Sequence, residues 1–166
     1  GFQKVRKITE GGRERYHSVF EGLKAVNDCS LVLIHDGARP CLTGEIISAA
    51  IEGASRYGAC VVGMPVKDTV KMSDHDEFAV MTPDRSRLWQ IQTPQAFDYN
   101  LIFDAYSKLL SSEEYQTGVT DDAMVVESMT DRKVKLIRGD YSNIKVTTPE
   151  DMDLAEVLLR RKHMIS

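Results

Sequence analysis

The sequence predicts an α/β fold with a mostly parallel sheet, and three segments carry that prediction. Two apolar runs, at 31–34 and 59–66, are continuous and contain several β-branched residues, as strands covered on both faces do. Between them, 44–57 has apolar residues at helical spacing, with Thr43 as N-cap and Gly58 just past its end. Because two strands joined through a helix form a βαβ unit, we expect them to run parallel, with 31–34 buried at the centre of the sheet.

The rest of the chain alternates between extended and helical patterns. Thr148 and Pro149 have the N-cap and first-turn chemistry of a helix start, with Asp151 in the capping-box position. The segment 92–97 is predicted to be a polar loop that contains Pro94. The further predicted elements are an extended piece over 1–9, helices over 13–26 and 99–110, a helix that Thr120, Asp121 and Asp122 open, a strand over 133–137, and an extended segment over 143–147.

Residues 67–88 interrupt this alternation and are predicted to form a β-arm. Short extended patterns at 67–71 and 78–81 are followed by a third at 88–92, with polar turns between them. A meander of this size buries too little surface to be stable alone, so we expect it to pack on a second copy of the chain. The predicted organisation is therefore a core formed by 1–66 and 89–166, with 67–88 as a dimerisation arm.

The composition excludes several classes of protein. The chain has 166 residues, is 42% hydrophobic and 28% charged, and carries a net charge of −4, which argues against a nucleic-acid-binding face. Its apolar runs have strand length, so we expect no membrane contact, and residues 1–20 show no secretion signal. The three cysteines have no C-x-x-C spacing, which suits a reduced, cytoplasmic protein.

Polar clusters lie where strands end or helices begin, and together they suit a phosphorylated polyol. Hydroxyl groups would hold the polyol, Lys and Arg its phosphate, and an Asp a hydroxyl group or a metal. The clusters are Asp36 with Arg39, residues 67–71, residues 93–95 with 120–122, and residues 143–145.

Each cluster also has a purely structural interpretation. Asp36 and Arg39 could form a local ion pair, and Ser18 could be a surface serine. The hydroxyl of Thr120 could be only a helix cap, and Lys145 could extend into solvent. Asp121 and Asp122 could merely complement a helix dipole.

Six segments in order make the chain resemble a known family. They are GGRERYHSVFEGL, HDGARP, PVKDTVK, TPDRSRLWQIQTPQAF, TDDA and NIKVTTPEDMDLAE, and they span Gly11 to Glu156. This succession resembles the 2-C-methyl-D-erythritol 4-phosphate cytidylyltransferases of non-mevalonate isoprenoid biosynthesis. The resemblance implies a Rossmann-like nucleotidyltransferase core with a projecting β-arm. It also implies a Mg²⁺-dependent homodimer that joins CTP and methylerythritol phosphate to give CDP-methylerythritol and pyrophosphate.

The same resemblance implies roles for individual residues. Those matching nucleotide-contacting positions are Gly12, Ser18, Asp36 and Gly37. Those matching methylerythritol phosphate positions are Arg39, Thr69, Thr93, Thr120 and Lys145. Arg85, on the arm, resembles an arginine that reaches the partner subunit's site. Asp36 and Lys145 are the expected catalytic residues, and no protein side chain is expected to be a dedicated metal ligand.

The resemblance leaves alternatives open. Family members begin with a strand and a glycine-rich loop that carries an arginine and a lysine at the triphosphate, and no such segment precedes Gly1. We therefore expect the sequence to represent an N-terminally truncated enzyme that is inactive alone. A ribitol-5-phosphate cytidylyltransferase shares some of the segments, although TPDRSRLW and TDDAMVVE fit the methylerythritol enzymes better. A non-catalytic binding or dimerisation module is the alternative from another class.

Overall fold

The computed structural model describes residues 3–26 and 28–163 as alternating helices and strands. The helices are α1 (Arg15–Ala25), α2 (Gly44–Tyr57), α3 (Tyr99–Leu109), α4 (Asp122–Met129) and α5 (Pro149–His163). The strands are β1 (Leu31–Ile34), β2 (Ala59–Pro65), β3 (Met72–Ser73), β4 (Ala79–Met81), β5 (Trp89–Asp98) and β6 (Lys135–Arg138). Of the extended piece predicted over 1–9, residues 1 and 2 lie outside the described part, and 3–9 form no strand.

The central sheet has four strands in the order β1-β5-β2-β6. Strands β1, β2 and β6 share one direction, and β5 runs antiparallel between β1 and β2. The prediction that β1 and β2 run parallel is therefore confirmed, although β5 separates them. The prediction that β1 is central was wrong: it is the last strand on its side of the described sheet and is only half-buried.

Helix α2 has the predicted bounds because both of its ends are encoded locally. The Thr43 hydroxyl accepts a hydrogen bond from the amide of Ile46, so one free amide of the first turn is satisfied. Gly58 ends the helix at φ 79°, a left-handed conformation that glycine adopts without strain. The helix therefore begins and ends where the sequence predicts.

Strand β5 is the main correction to the predicted fold. It unites segments predicted to be an arm strand (88–92) and a polar loop (92–97), and its residues 92–97 are buried. Pro94 is tolerated because the pairing of β5 with β2 shifts register between Gln95 and Ile91, which leaves an irregular stretch where no ladder amide is required. The loop prediction failed because the polar side chains of this strand are buried, where other polar groups are their partners.

Both faces of the sheet are covered by helices. Alternate residues of β2 belong to different core clusters, since Val61 packs with Phe97 and Tyr106, whereas Cys60 and Val62 pack on the α2 side. Helices α1, α3 and α4 contribute to the first cluster and α2 to the second. The resulting three layers fix the strand ends and helix starts that surround the candidate site.

The segment predicted as an arm contains a two-stranded antiparallel sheet of β3 and β4. These strands are shorter than predicted, and the first begins at Met72 rather than within 67–71. Met72, Phe78, Val80 and Met81 are each at least half exposed, which is unusual for clustered large apolar side chains. The arm therefore presents an apolar surface that the rest of the described chain, 3–26 and 28–163, does not cover.

None of the helices within 3–26 and 28–163 is long and apolar enough to cross a membrane.

Candidate active site

Five of the predicted site residues line one cavity of about 300 Å³. They are Asp36, Arg39, Thr93, Thr120 and Lys145. The cavity lies beside the carboxyl end of β1, and the middle of β5 and the start of α4 also contribute to it. Arg15, Ile91, Gln92, Gln95 and Asp121 complete the lining. The structure thus brings together residues that are far apart in the sequence.

The Thr93 hydroxyl organises the loop that follows β1. It accepts a hydrogen bond from the Asp36 amide at 3.0 Å, and its oxygen lies 2.8 Å from Nδ1 of His35. On the other side of the ring, Nε2 of His35 lies 3.1 Å from the Arg39 carbonyl, which can only accept. Nε2 therefore carries the proton, and Thr93 donates its own proton to Nδ1. This chain of hydrogen bonds fixes the backbone that presents Asp36.

The Asp36 carboxylate lies among three cations. Its Oδ2 is 3.2 Å from Nζ of Lys145 and 3.8 Å from Nε of Arg39, and its Oδ1 is 3.3 Å from Nη2 of Arg15. Burial alone would raise the pKa of Asp36, but the Lys145 hydrogen bond and the charge on Arg15 outweigh it, so the pKa is lowered. Asp36 is therefore ionised at neutral pH.

Arg39 retains an unused donor in the cavity. Its Nη1 donates to the Asn143 carbonyl at 2.8 Å, whereas the buried Nε has no hydrogen-bond partner within the described residues. Burial lowers the pKa of Arg39, and the charge of Asp36 opposes that effect. Arg39 thus keeps a positive charge at the cavity, where the Asn143 carbonyl holds it and Asp36 partly balances it.

The segment that carries Lys145 is held against β5 by Asn143. The Asn143 side chain is fully buried and donates to the Thr93 carbonyl at 2.8 Å, and Val146 N–H donates to the Ala38 carbonyl at the same distance. Lys145 itself is 45% exposed, so its ammonium contacts both Asp36 and solvent. Lys145 is thus placed at the cavity by the backbone on either side of it.

Arg15 is a site residue that the sequence analysis missed. Its guanidinium contacts Asp36 and also binds the buried Asp122 carboxylate through Nη1 at 2.9 Å and Nη2 at 2.8 Å. One signal was available: a cation in the first turn of a helix is disfavoured by the helix dipole, so its presence at the start of α1 needs another cause.

The start of α4 differs from its prediction in one detail. Asp121, rather than Thr120, is the N-cap, because its Oδ1 accepts from the Met124 amide at 2.8 Å. Its Oδ2 accepts from the side-chain amide of Gln95 at 3.0 Å. The Thr120 hydroxyl is therefore not needed as a cap, and the residue lines the cavity.

The structure brings only some of the predicted nucleotide-contacting residues close to Asp36. The Gly12 amide donates to the Ser18 hydroxyl at 2.9 Å, and Ser18 lines an adjoining cavity of about 400 Å³ that also includes Asp36. A Cβ at Gly12 would lie 2.2 Å from Cβ of His17, so this position cannot carry a side chain without rearrangement. Gly37 instead lines a separate cavity beside α5.

Thr69 and Arg85 lie on the arm and line neither cavity of the site. Both side chains are exposed, and Nη1 of Arg85 donates to the Lys67 carbonyl at 2.9 Å. A single copy of the chain therefore leaves these two residues outside the group around Asp36.

The arrangement is suited to binding phosphate groups. Arg15, Arg39 and Lys145 surround one carboxylate, and the hydroxyls of Thr93 and Thr120 lie in the same lining. Within the described residues, no three or more His, Cys, Asp or Glu side chains form a group that could hold a metal ion. The cation-rich cavity in a three-layer α/β fold is suited to an enzyme that acts on phosphorylated substrates, the class to which nucleotidyltransferases belong.

The particular family follows from comparison with known proteins. The chain belongs to the family described as IspD, 2-C-methyl-D-erythritol 4-phosphate cytidylyltransferase, whose family model matches residues 2–161.

Individual relatives agree with this assignment. The enzyme of that name from Lachnospira eligens is 52% identical over 159 residues, which cover 96% of this chain and 70% of the relative. The one from Caldanaerobacter subterraneus is 53% identical over 161 residues, covering 96% and 69%.

Solved structures show the same fold. A 4-diphosphocytidyl-2C-methyl-D-erythritol synthase from Anaerococcus prevotii superposes with a TM-score of 0.83 at 43% identity, covering 90% of this chain and 68% of that one. The 2-C-methyl-D-erythritol 4-phosphate cytidylyltransferase from Thermus thermophilus superposes with a TM-score of 0.81 at 33% identity, covering 92% and 72%.

Proposed function

We propose that this protein transfers CMP from CTP to 2-C-methyl-D-erythritol 4-phosphate, giving CDP-methylerythritol and pyrophosphate for isoprenoid precursor biosynthesis. The observation that carries the proposal is the cavity in which three cations and two threonine hydroxyls surround Asp36. Membership of the cytidylyltransferase family and the names of its relatives support the choice of substrates.

The roles of the cavity residues follow from their chemistry. Arg39 and Lys145 bind the phosphate of methylerythritol phosphate, and Thr93 and Thr120 contact the polyol. The position of Arg39 and Lys145 in one cavity lining, both beside Asp36, supports this role. The nucleotide lies toward Gly12 and Ser18, where the adjoining cavity also includes Asp36. Gly37 lines a separate cavity, so its predicted contact with the nucleotide needs a change in the loop that follows β1. Thr69 completes the polyol site only if the arm of a partner subunit approaches it.

The transfer needs charge neutralisation more than proton transfer. A phosphate oxygen of methylerythritol phosphate attacks the α-phosphorus of CTP in line, and the bond from that phosphorus to the bridging oxygen breaks as pyrophosphate leaves. The attacking oxygen is already anionic, so no base has to remove a proton from it. Lys145 and Arg39 hold that anion close to a second anion, and Asp36 keeps Lys145 in place at 3.2 Å.

Mg²⁺ is part of the same proposal. This ion is usually held by one or two carboxylates together with substrate phosphates rather than by a cage of protein ligands. Asp36 is the ionised carboxylate in the cavity, but Arg15 and Lys145 already contact its two oxygens. The substrate triphosphate would therefore supply most of the ligands for the ion. When bound, Mg²⁺ would neutralise charge on the triphosphate.

Turnover of two polyol phosphates tests the proposed function. The intact protein is expected to form CDP-methylerythritol from CTP and methylerythritol phosphate. Its kcat/KM for ribitol 5-phosphate should be lower than that for methylerythritol phosphate by about tenfold or more. A binding pocket typically discriminates by this factor between substrates that differ by one carbon group. Faster turnover of ribitol 5-phosphate would favour the alternative cytidylyltransferase, and no turnover of either would favour a binding module. The substrates are varied in turn at saturating CTP.

The arm is proposed to join two copies into a homodimer. Its exposed Met72, Phe78, Val80 and Met81 support this proposal, because such a surface on one chain suits the same surface on another. Three cysteines present as thiols support a reducing, cytoplasmic location.

Arg85→Ala tests whether the arm also completes the partner subunit's site. The variant is expected to raise the KM for methylerythritol phosphate while leaving Tm unchanged, because Arg85 is exposed and its side-chain hydrogen bond to the Lys67 carbonyl lies at the surface. Mixing it with an Asp36→Asn variant should restore part of the activity, since each mixed dimer would contain one complete site. Unrestored activity, with subunit exchange verified, would place Arg85 outside the partner's site.

A further inference from the structure

Asp122 is a buried carboxylate that the proposed reaction does not use. Its side chain is fully buried, and it accepts three hydrogen bonds: from Nη1 and Nη2 of Arg15 at 2.9 and 2.8 Å, and from the Tyr106 hydroxyl at 2.5 Å. A buried charge is costly, and Asp121 already caps α4. Helix capping therefore does not explain why an acid occupies this position.

Arg15 connects this buried carboxylate to the cavity. The same guanidinium that binds Asp122 through Nη1 and Nη2 also reaches Oδ1 of Asp36 through Nε and Nη2, each at 3.3 Å. The contacts with Asp122 are shorter, so Asp122 sets the orientation of the planar group. Burial disfavours the charged form of Arg15, but the hydrogen bonds and charge of Asp122 raise its pKa above the ordinary value.

Tyr106 holds Asp122 from the core side. Its ring is fully buried in the main hydrophobic cluster, which limits the positions that its hydroxyl can take. Burial and the charge of Asp122 both raise the pKa of Tyr106, so the hydroxyl stays protonated and donates. The core thus fixes Tyr106, Tyr106 fixes Asp122, and Asp122 fixes Arg15.

We infer that Asp122 and Tyr106 are positioning residues for the proposed transfer reaction: through Arg15 they hold Oδ1 of Asp36, so that Oδ2 stays directed at Lys145. This inference rests on the proposed function. Without the relay, Arg15 could bind both oxygens of Asp36 and draw the carboxylate away from Lys145. A role confined to joining α1 to α4 would instead affect stability alone.

A double-mutant cycle with Asp122→Asn and Asp36→Asn separates the two roles. Asp122→Asn is expected to lower kcat by about tenfold or more, the value of one charge-assisted hydrogen bond, with a smaller change in the KM for CTP. In the Asp36→Asn background, the same change should alter kcat by no more than about twofold, because its target is gone. Labelled CTP keeps the slow variants measurable.

Two further variants separate positioning from folding. Tyr106→Phe removes only the hydroxyl and should lower kcat in the same direction. Val125→Ala, a buried apolar change on α4, should lower Tm but leave kcat unchanged. In NMR spectra, the Arg15 Nε–H resonance should shift in the Asp122, Tyr106 and Asp36 variants but not in Val125→Ala.

The possible outcomes are distinct. An intact enzyme, with the glycine-rich segment that the family resemblance implies, that still makes no CDP-methylerythritol would overturn the proposed function. The resonance shifts would then decide the geometry of the relay by themselves. An active wild type in which Asp122→Asn costs equal factors with and without Asp36, or in which the Arg15 resonance stays unchanged, would overturn the positioning role.

Discussion

Replacing Lys145 by Met is expected to lower kcat/KM for methylerythritol phosphate about 10- to 100-fold. Methionine keeps most of the apolar stem but loses the ammonium, and one hydrogen bond to a charged group is worth about 1.5–3 kcal/mol. Nζ of Lys145 lies 3.2 Å from Asp36 and the side chain is 45% exposed, so a substrate phosphate can reach it from the solvent side. The KM for CTP should change little. Steady-state kinetics with each substrate varied in turn measure both effects.

Lys24→Met is a matched control for this variant. Lys24 has the same 45% exposure and also pairs with a carboxylate, Glu21, at 2.7 Å, but it lies on α1 outside the cavity of Asp36. Exposed ion pairs contribute about 0–1 kcal/mol, so this variant should keep wild-type kinetics and nearly wild-type stability. An unchanged kcat/KM in Lys145→Met, or a loss confined to CTP, would remove Lys145 from the polyol site.

The parts of the fold that the sequence predicted well are those with local signals. Helix α2 has a cap, an apolar stripe and a terminal glycine within one segment, and its bounds were predicted without error. Strand β1 likewise begins and ends with its apolar run. Its place in the sheet was mispredicted, because strand order depends on β5, which is separated from β1 by more than fifty residues.

Strand β5 shows why the polarity of a segment does not by itself distinguish a loop from a strand. Gln92, Thr93 and Gln95 are buried, but each finds a hydrogen-bond partner: the Asp140 carbonyl, the Asp36 amide, and the Asp121 carboxylate with the Ala123 amide. A buried polar strand of this kind is indistinguishable from a loop when its partners are unknown. Two of these partners, Asp36 and Asp121, line the candidate site, which is where departures from simple patterning are expected.

Some residues of the candidate site could likewise be predicted from the sequence, and others could not. Asp36 and Arg39 could be proposed as a pair from their spacing. Thr93, Thr120 and Lys145 could be proposed from polar clusters at strand ends and helix starts, and the family resemblance added their individual roles. Arg15 was missed by both routes: a cation in the first turn of a helix was a signal, but its partner Asp122 lies 107 residues further along the chain. Contacts at that separation are set by the packing of α1 against the α3–α4 layer, which the sequence pattern of each helix alone does not specify.

Arg15→Met is expected to lower the free energy of unfolding by about 3 kcal/mol, the lower end of the range for breaking a buried ion pair. The loss arises because Asp122 stays fully buried while its bidentate cation is gone. The 37% exposure of Arg15 keeps the cost at that lower end. For a chain of this size, Tm should fall by about 6–12 °C, measured by thermal and urea unfolding.

A second change identifies the cause of that loss. Adding Asp122→Asn to Arg15→Met should recover much of the lost stability, because the uncompensated charge, rather than the missing side chain, is the main cost. Arg160→Met is the matched control: Arg160 pairs with Glu156, both are largely exposed, and its loss should cost no more than about 0.5 kcal/mol. A stable Arg15→Met variant, or a double variant as unstable as the single one, would show that the Arg15–Asp122 pair does not stabilise the fold.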